Sequence, residues 1–167
     1  MGKLQLKIFP DPILEKECIE IDEITNDIVN LSKDMIKTMV DSEGIGLSAP
    51  QIGVLKRIFV CKDFSVEDEN KYLVLINPKL VMSEGKVQSR EGCLSIPGFY
   101  DYVNRYERIK MTALDINGNE QSFETDGMQS IVFQHEYDHL DGILFPERMT
   151  NIKREIFLKK INKAFKK

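Results

Sequence analysis

The chain contains no tryptophan, two histidines and three cysteines in 167 residues. Three cysteines without paired spacing (Cys18, Cys61 and Cys93) argue against a disulfide framework and predict a reducing compartment, the cytoplasm. No stretch approaches the roughly 18 consecutive apolar residues of a membrane span. The opening Met1-Gly2-Lys3-Leu4-Gln5-Leu6-Lys7 lacks the apolar core and small-residue cleavage site of a secretory signal. Leu6 stands where a myristoylation motif needs Ser or Thr. Internal repeats and low-complexity linkers are also missing. The glycines Gly44 and Gly46 lack the third glycine and the lysine of a phosphate-binding loop. What remains is an ordinary globular composition, 42% hydrophobic and 30% charged. Its length predicts one domain over residues 1–167.

Both histidines fall in one short segment, His135-Glu136-Tyr137-Asp138-His139. Residues four apart on a helix point the same way, which suits two ligands of one metal ion. Glu136 lies beside them, where its carboxylate can take a proton from a water molecule at the metal. A catalytic site of this type needs about three protein ligands and an open position. One protease group completes the set with a third histidine, in the pattern H-E-x-x-H-x-x-G-x-x-H. This chain follows it to Gly142 and then has Phe145, so the third ligand must be a cysteine or a carboxylate. Cys18 lies in an acidic segment that opposes a thiolate. Cys61 ends the apolar run Ile58-Phe59-Val60 and reads as a buried strand residue. Cys93 sits in Glu91-Gly92-Cys93-Leu94-Ser95-Ile96-Pro97-Gly98, an apolar turn where backbone can approach a ligand.

Three segments together, Gly44-Ile45-Gly46-Leu47-Ser48-Ala49-Pro50-Gln51, Glu91-Gly92-Cys93-Leu94-Ser95 and Gln134-His135-Glu136-Tyr137-Asp138-His139, resemble the three signature motifs of peptide deformylases. They occur in that family's order and at similar spacing. Ser48 is a small departure, since many members carry alanine there. The resemblance implies a metal held by Cys93, His135 and His139, with Glu136 as general base. It assigns the Gln51 side-chain amide and the Leu94 backbone N–H to the formyl oxygen. By the same resemblance Gly46 and Gly92 lie against the substrate, and Ile45, Met128, Ile131 and Val132 line a pocket for its methionine side chain. The resemblance also implies a buried link between Glu91 and Arg105 that steadies the cysteine loop. The implied metal is Fe²⁺, replaceable by Zn²⁺, Ni²⁺ or Co²⁺. The implied reaction removes formyl from the N-terminal formylmethionine of new polypeptides. A metalloendopeptidase built on the same helix is the alternative enzyme, and a binding protein with a closed structural metal site is the alternative outside catalysis.

Periodicity predicts a helix from Thr25 or Asn26 to about Ser42, ended by Gly44 in a left-handed conformation. Strands follow near Arg57–Cys61 and Tyr72–Ile76, the second broken by Asn77-Pro78 before Lys79–Met82, with a surface loop over Asp63–Lys71 between them. Arg108–Leu114 and Gln121–Thr125 form a hairpin around Asn117-Gly118. Thr125 or Asp126 caps the histidine helix. A last helix runs from Asn151 to about Phe165 with an apolar stripe of Ile152, Ile156 and Ile161. This mixture predicts an α+β domain. The resemblance specifies antiparallel sheets packed around a central H-E-x-x-H helix. Residues 151–167 carry seven Lys or Arg against one Glu, a net of +6, leaving −10 for the remainder of a chain whose total is −4. Such a basic tail suits an anionic partner. The expected partners are formylated nascent polypeptides and, through this tail, the ribosome; neither DNA nor a membrane is expected.

Overall fold

A computed structural model describes residues 4–165, so Met1, Gly2, Lys3 and two of the seven tail cations, Lys166 and Lys167, lie outside the described residues. Three helices, α1 (Asn26–Asp41), α2 (Gly127–Leu140) and α3 (Asn151–Phe165), accompany seven strands. The strands are β1 (Gly46–Ser48), β2 (Ile58–Lys62), β3 (Tyr72–Glu84), β4 (Val87–Cys93), β5 (Ile96–Arg105), β6 (Arg108–Leu114) and β7 (Glu120–Thr125). All pair antiparallel, as a five-stranded sheet in the order β1-β2-β3-β6-β7 and a two-stranded β4-β5 ribbon. The architecture is α+β, as the mixed pattern predicts. Among the described residues no helix is long and apolar enough to cross a membrane.

The apolar run Ile58–Cys61 is continuous because both faces of β2 are covered. Ile58 and Val60 face the α1 side, in a cluster with Ile28, Met35 and Met39. Phe59 and Cys61 face the other way, with Val132, Phe133 and Leu140 of α2. Successive strand residues point to opposite faces, so four consecutive buried residues require a layer on each side. Phe133 fixes α2 on this sheet by edge contacts with Phe59 and Phe123, at centroid separations of 5.8 and 5.3 Å. A third cluster joins Ile96 and Val103 of β5 to Phe145, Phe157 and Ile161.

Four expectations change. The left-handed residue after α1 is Glu43, at φ 57°, rather than Gly44. Asn77-Pro78 does not break a strand: β3 runs on to Glu84 with a bulge between Ile76 and Lys79. Asn77 takes φ 49° there, and its side chain accepts from Ile21 N–H at 2.8 Å and donates to Ile21 C=O at 2.9 Å. Two bonds to a neighbouring segment hold a conformation that breaks a strand elsewhere. Asp126 is the residue before α2, yet its side chain makes no capping hydrogen bond. In α3, Ile161 of the expected stripe is buried, but Ile152 and Ile156 are exposed and Phe157 faces inward with Ile161. Phe157 and Ile161 are one turn apart, and the helix follows the larger aromatic surface. The sequence reading also missed β4 and β5.

Candidate active site

Three local structures converge at the C-terminal half of α2. The first is β1 with the tight turn Ala49–Ile52, which is buried and closed by Gly53 in the left-handed region at φ 83°. Gln51 is 1% exposed. Its Oε1 accepts from the Ser48 N–H at 3.0 Å and from the Ser48 hydroxyl at 2.9 Å. That leaves the amide nitrogen directed at Cys93 Sγ (3.4 Å) and Ser95 Oγ (3.2 Å). The departure at Ser48 therefore matters more than its small size suggests, because its hydroxyl is a second anchor for the amide.

The second is the end of β4, which delivers Cys93 and then the tip residue Leu94. Cys93 is half-buried, whereas Cys18 and Cys61 are buried in apolar clusters. Burial pushes the Cys18 thiol up to about 11, and acidic neighbours add to the effect; burial raises Cys61 as well. The third is α2 itself, carrying His135, Glu136 and His139. The ligand atoms of Cys93, His135 and His139 all lie within 4.8 Å of one another, with Sγ 3.3 Å from His139 Nε2. One thiolate and two imidazoles on such a triangle fit a divalent transition metal with an open fourth position.

His135 is oriented from behind. Its Nδ1 is 2.9 Å from Glu91 Oε1, which leaves Nε2 for the ligand triangle. Glu91 also accepts from Arg105 Nε at 2.9 Å and Nη2 at 2.8 Å. Burial alone would raise the Glu91 pKa, but the bonds from Arg105 and His135 outweigh it and bring the carboxyl down to about 2. Glu136 is buried with Oε2 unpartnered among the described residues. A Cβ on Gly46 would come within 2.5 Å of its Oε1, so glycine is the residue that admits this carboxylate. Burial pushes Glu136 up to about 7 when no metal charge stands beside it, with the positive His135 opposing and Glu91 reinforcing the rise.

The group opens into a cleft of about 420 Å³. Ile45, Gly46, Gln51, Glu91, Gly92, Cys93, Leu94, Met128, Ile131, Val132, His135 and Glu136 all line it. His139 and Arg105 do not line it; Arg105 stands behind Glu91. Ile45 and Met128 are largely exposed at the mouth, and Val132 is buried deeper. Gly92 lies against the Tyr100 ring, where any Cβ would overlap, and the Arg90 guanidinium lies over that ring at 5.1 Å from its centroid. Sequence reasoning missed Ser89, Arg90 and Tyr100 as lining residues. It also passed over Asp138, the buried acid three residues after His135, which bonds Arg105 at 2.6 Å. Its position inside the histidine motif was the available signal. Phe145, at the site of the absent third histidine, stacks on the His135 ring at 6.1 Å and 26°.

A tight donor triangle, a buried carboxylate beside it and an apolar cleft define the class as an H-E-x-x-H hydrolase with a cysteine in place of the third histidine. Comparison with known proteins gives the particular family. The family model for polypeptide deformylase matches residues 3–155. The peptide deformylase of Thermodesulfovibrio yellowstonii is 46% identical over 96% of this chain and 97% of its own length. That of Alkalilimnicola ehrlichii is 42% identical over 98% and 91%. Among solved structures, the Thermus thermophilus peptide deformylase superposes with a TM-score of 0.88 at 41% identity, covering 95% of this chain and 92% of that one. An Ehrlichia chaffeensis peptide deformylase in complex with actinonin gives 0.88 at 37%, covering both chains fully. The chain belongs to the polypeptide deformylase family and is an enzyme that removes formyl groups from peptide N-termini.

The raised Glu136 has a measurable consequence in metal-stripped protein. The folded state holds this proton up to about pH 7, whereas the unfolded chain releases it near 4.5. Folding therefore loses stability as pH rises through that window, and the penalty is complete above pH 7. Glu136→Gln cannot ionise and escapes it. Urea unfolding of the metal-free proteins should show the variant gaining on wild type between about pH 5 and 7 and holding a constant lead above. A lead that does not change with pH would refute the assignment.

Proposed function

We propose that this chain is a metal-dependent peptide deformylase, one catalytic domain over residues 1–167, acting in the cytoplasm on the N-terminal formylmethionine of newly made polypeptides and releasing formate. The observation that carries the reading is the Cys93–His135–His139 triangle with Glu136 buried beside it. Cys93, His135 and His139 would hold a divalent ion, which would supply Lewis acidity for the formyl oxygen and lower the pKa of a bound water. Fe²⁺ is the proposed ion in the cell, with Zn²⁺, Ni²⁺ or Co²⁺ able to replace it; soft thiolate and imidazole donors suit all four.

The chain's own residues do the remainder. Glu136 takes the proton of the attacking water and delivers it to the departing amine nitrogen. The Gln51 amide, already fixed through Ser48, and the Leu94 backbone N–H donate to the formyl oxygen as negative charge develops there. Ile45, Met128, Ile131 and Val132 hold the methionine side chain, and Gly46 and Gly92 let the peptide backbone come close. Glu91, fixed by Arg105, holds His135 with Nε2 toward the metal. A protease site with three histidines finds no support, since position 145 of the motif carries a phenylalanine, whose ring packs on His135.

Glu136→Gln should keep its metal and lose about 10²–10⁴-fold in turnover of formyl-Met-Ala, because an amide can hydrogen-bond water but cannot take its proton. Metal content is measured on the same samples, and wild type should leave an N-terminally blocked internal peptide intact. Near-wild-type turnover by the metal-replete variant would remove Glu136 from its role.

The basic helix α3 is the proposed contact to the ribosome. Lys153 is engaged by Asp101 at 2.8 Å, and Lys160 lies over Phe99. Lys159 and Lys163 are exposed and have no ion-pair partner among the described residues. The inward face holds Phe157 against Phe145 at 5.5 Å, so deleting the helix would disturb the site and charge reversal is the cleaner test. Lys159→Glu with Lys163→Glu should reduce ribosome co-sedimentation at low salt, and wild-type binding should fall steeply as salt rises. Equal, salt-insensitive sedimentation would leave α3 a solvated face.

A further inference from the structure

Behind the donor triangle runs an unbroken chain of alternating charges that the proposed reaction does not use beyond Arg105. His135 Nδ1 meets Glu91 Oε1 at 2.9 Å, and Glu91 takes two bonds from Arg105. The third donor of Arg105, Nη1, goes to Asp138 Oδ2 at 2.6 Å. Asp138 is then gripped by Arg148, from Nε to Oδ2 at 3.0 Å and from Nη2 to Oδ1 at 2.7 Å. Glu91, Arg105 and Asp138 are all buried, at 6, 5 and 5% exposure. Arg148 is the member that solvent reaches, with 44% of its side chain exposed. It lines a separate cleft of about 540 Å³ that shares Arg105 and Asp138 but none of the ligand triangle.

We propose that Arg148 is a positioning residue for the metal ligand His135, acting through Asp138, Arg105 and Glu91. The physical reason is how two buried carboxylates share one guanidinium. With Arg148 present, Asp138 has a two-point partner of its own, and Arg105 can commit two of its three bonded nitrogens to Glu91. Without it, Asp138 Oδ1 is a buried acceptor with no partner and the chain carries one uncompensated negative charge. Arg105 is the one remaining cation bonded to Asp138, and any shift toward it loosens the hold on Glu91. Glu91 in turn sets the ring orientation of His135. The same short turn, Phe145–Arg148, also stacks Phe145 on His135, so one piece of chain grips this ligand by packing and by charge.

The proposal rests on the reading of Cys93, His135 and His139 as a metal site, and the test separates the two. Zn²⁺ affinity is measured by chelator competition for wild type, Arg148→Gln, Arg148→Lys, Glu91→Gln and the Glu91→Gln/Arg148→Gln pair, with thermal unfolding of the metal-free forms alongside. Direct hydrogen-bond partners of metal ligands carry about 10–100-fold in affinity. Arg148, further back, should carry about three- to ten-fold of that scale, and the loss should shrink to about two-fold or less once Glu91→Gln has cut the chain. Arg148→Lys keeps charge without the two-point grip and should fall between wild type and Arg148→Gln; it carries the comparison if the glutamine variant does not fold. An Arg148→Gln protein that melts earlier but binds Zn²⁺ as wild type does, or that loses as much in the Glu91→Gln background, would overturn the proposal. A wild type that binds no Zn²⁺ would instead overturn the metal site itself.

Discussion

Glu91 is tied to three elements at once. It lies on β4 two residues before Cys93, accepts two bonds from Arg105 of β5 and meets His135 of α2. Among the described residues the β4-β5 ribbon is not hydrogen-bonded as a strand to the five-stranded sheet, so this buried carboxylate and its guanidinium connect the cysteine-bearing hairpin to the histidine-bearing helix by polar contact. Burial makes the arrangement strict. A paired charge in this setting is tolerated because its partner is present, and losing one member of a buried pair typically costs about 3–5 kcal/mol. The geometry of the donor triangle follows from that requirement, because Cys93 and His135 are placed by two ends of one network.

Around this network, packing supplies the rigidity. β2 lies between α1 and α2, and its alternate residues fill two different clusters. Phe133, between Phe59 and Phe123, sets the depth of α2 on the sheet. Two residues further on is His135 and one more is Glu136, so the same helix that buries Phe133 presents both toward the cleft. Absence of side chain counts as much as presence. Gly46 gives Glu136 its space, and Gly92 gives Tyr100 a flat backbone to rest on.

The histidine part of the donor set was legible in the sequence because its spacing is local, whereas Cys93 lies far away in the chain and was assigned through the family resemblance. Two histidines four apart with a glutamate beside them carry the geometry of a helix in five letters, and the hairpin around Asn117-Gly118 is written just as compactly. The β4-β5 ribbon was not legible. Of β4 only Glu91 is buried, and Val87, Gln88 and Arg90 are exposed, so no alternation of apolar and polar residues marks the strand. The stripe assigned to α3 failed at Ile152 and Ile156 for a related reason: isoleucines at helical spacing look inward on paper, but Phe145 and Phe99 offer aromatic surface to Phe157, which is buried with Ile161. In the chain from His135 to Arg148, the link between Glu91 and Arg105 was implied by the resemblance. Asp138 and Arg148 are ordinary in their local context, and only folding makes them its neighbours.

The central claim is that one divalent metal sits on Cys93, His135 and His139. Metal analysis with X-ray absorption on protein purified without air tests it most directly. The account predicts about one transition-metal ion per chain, with one sulfur and at least two nitrogen ligands, and loss of the sulfur ligand in Cys93→Ser. A stoichiometric metal without sulfur among its ligands, or a protein fully active after its metal is stripped, would contradict it.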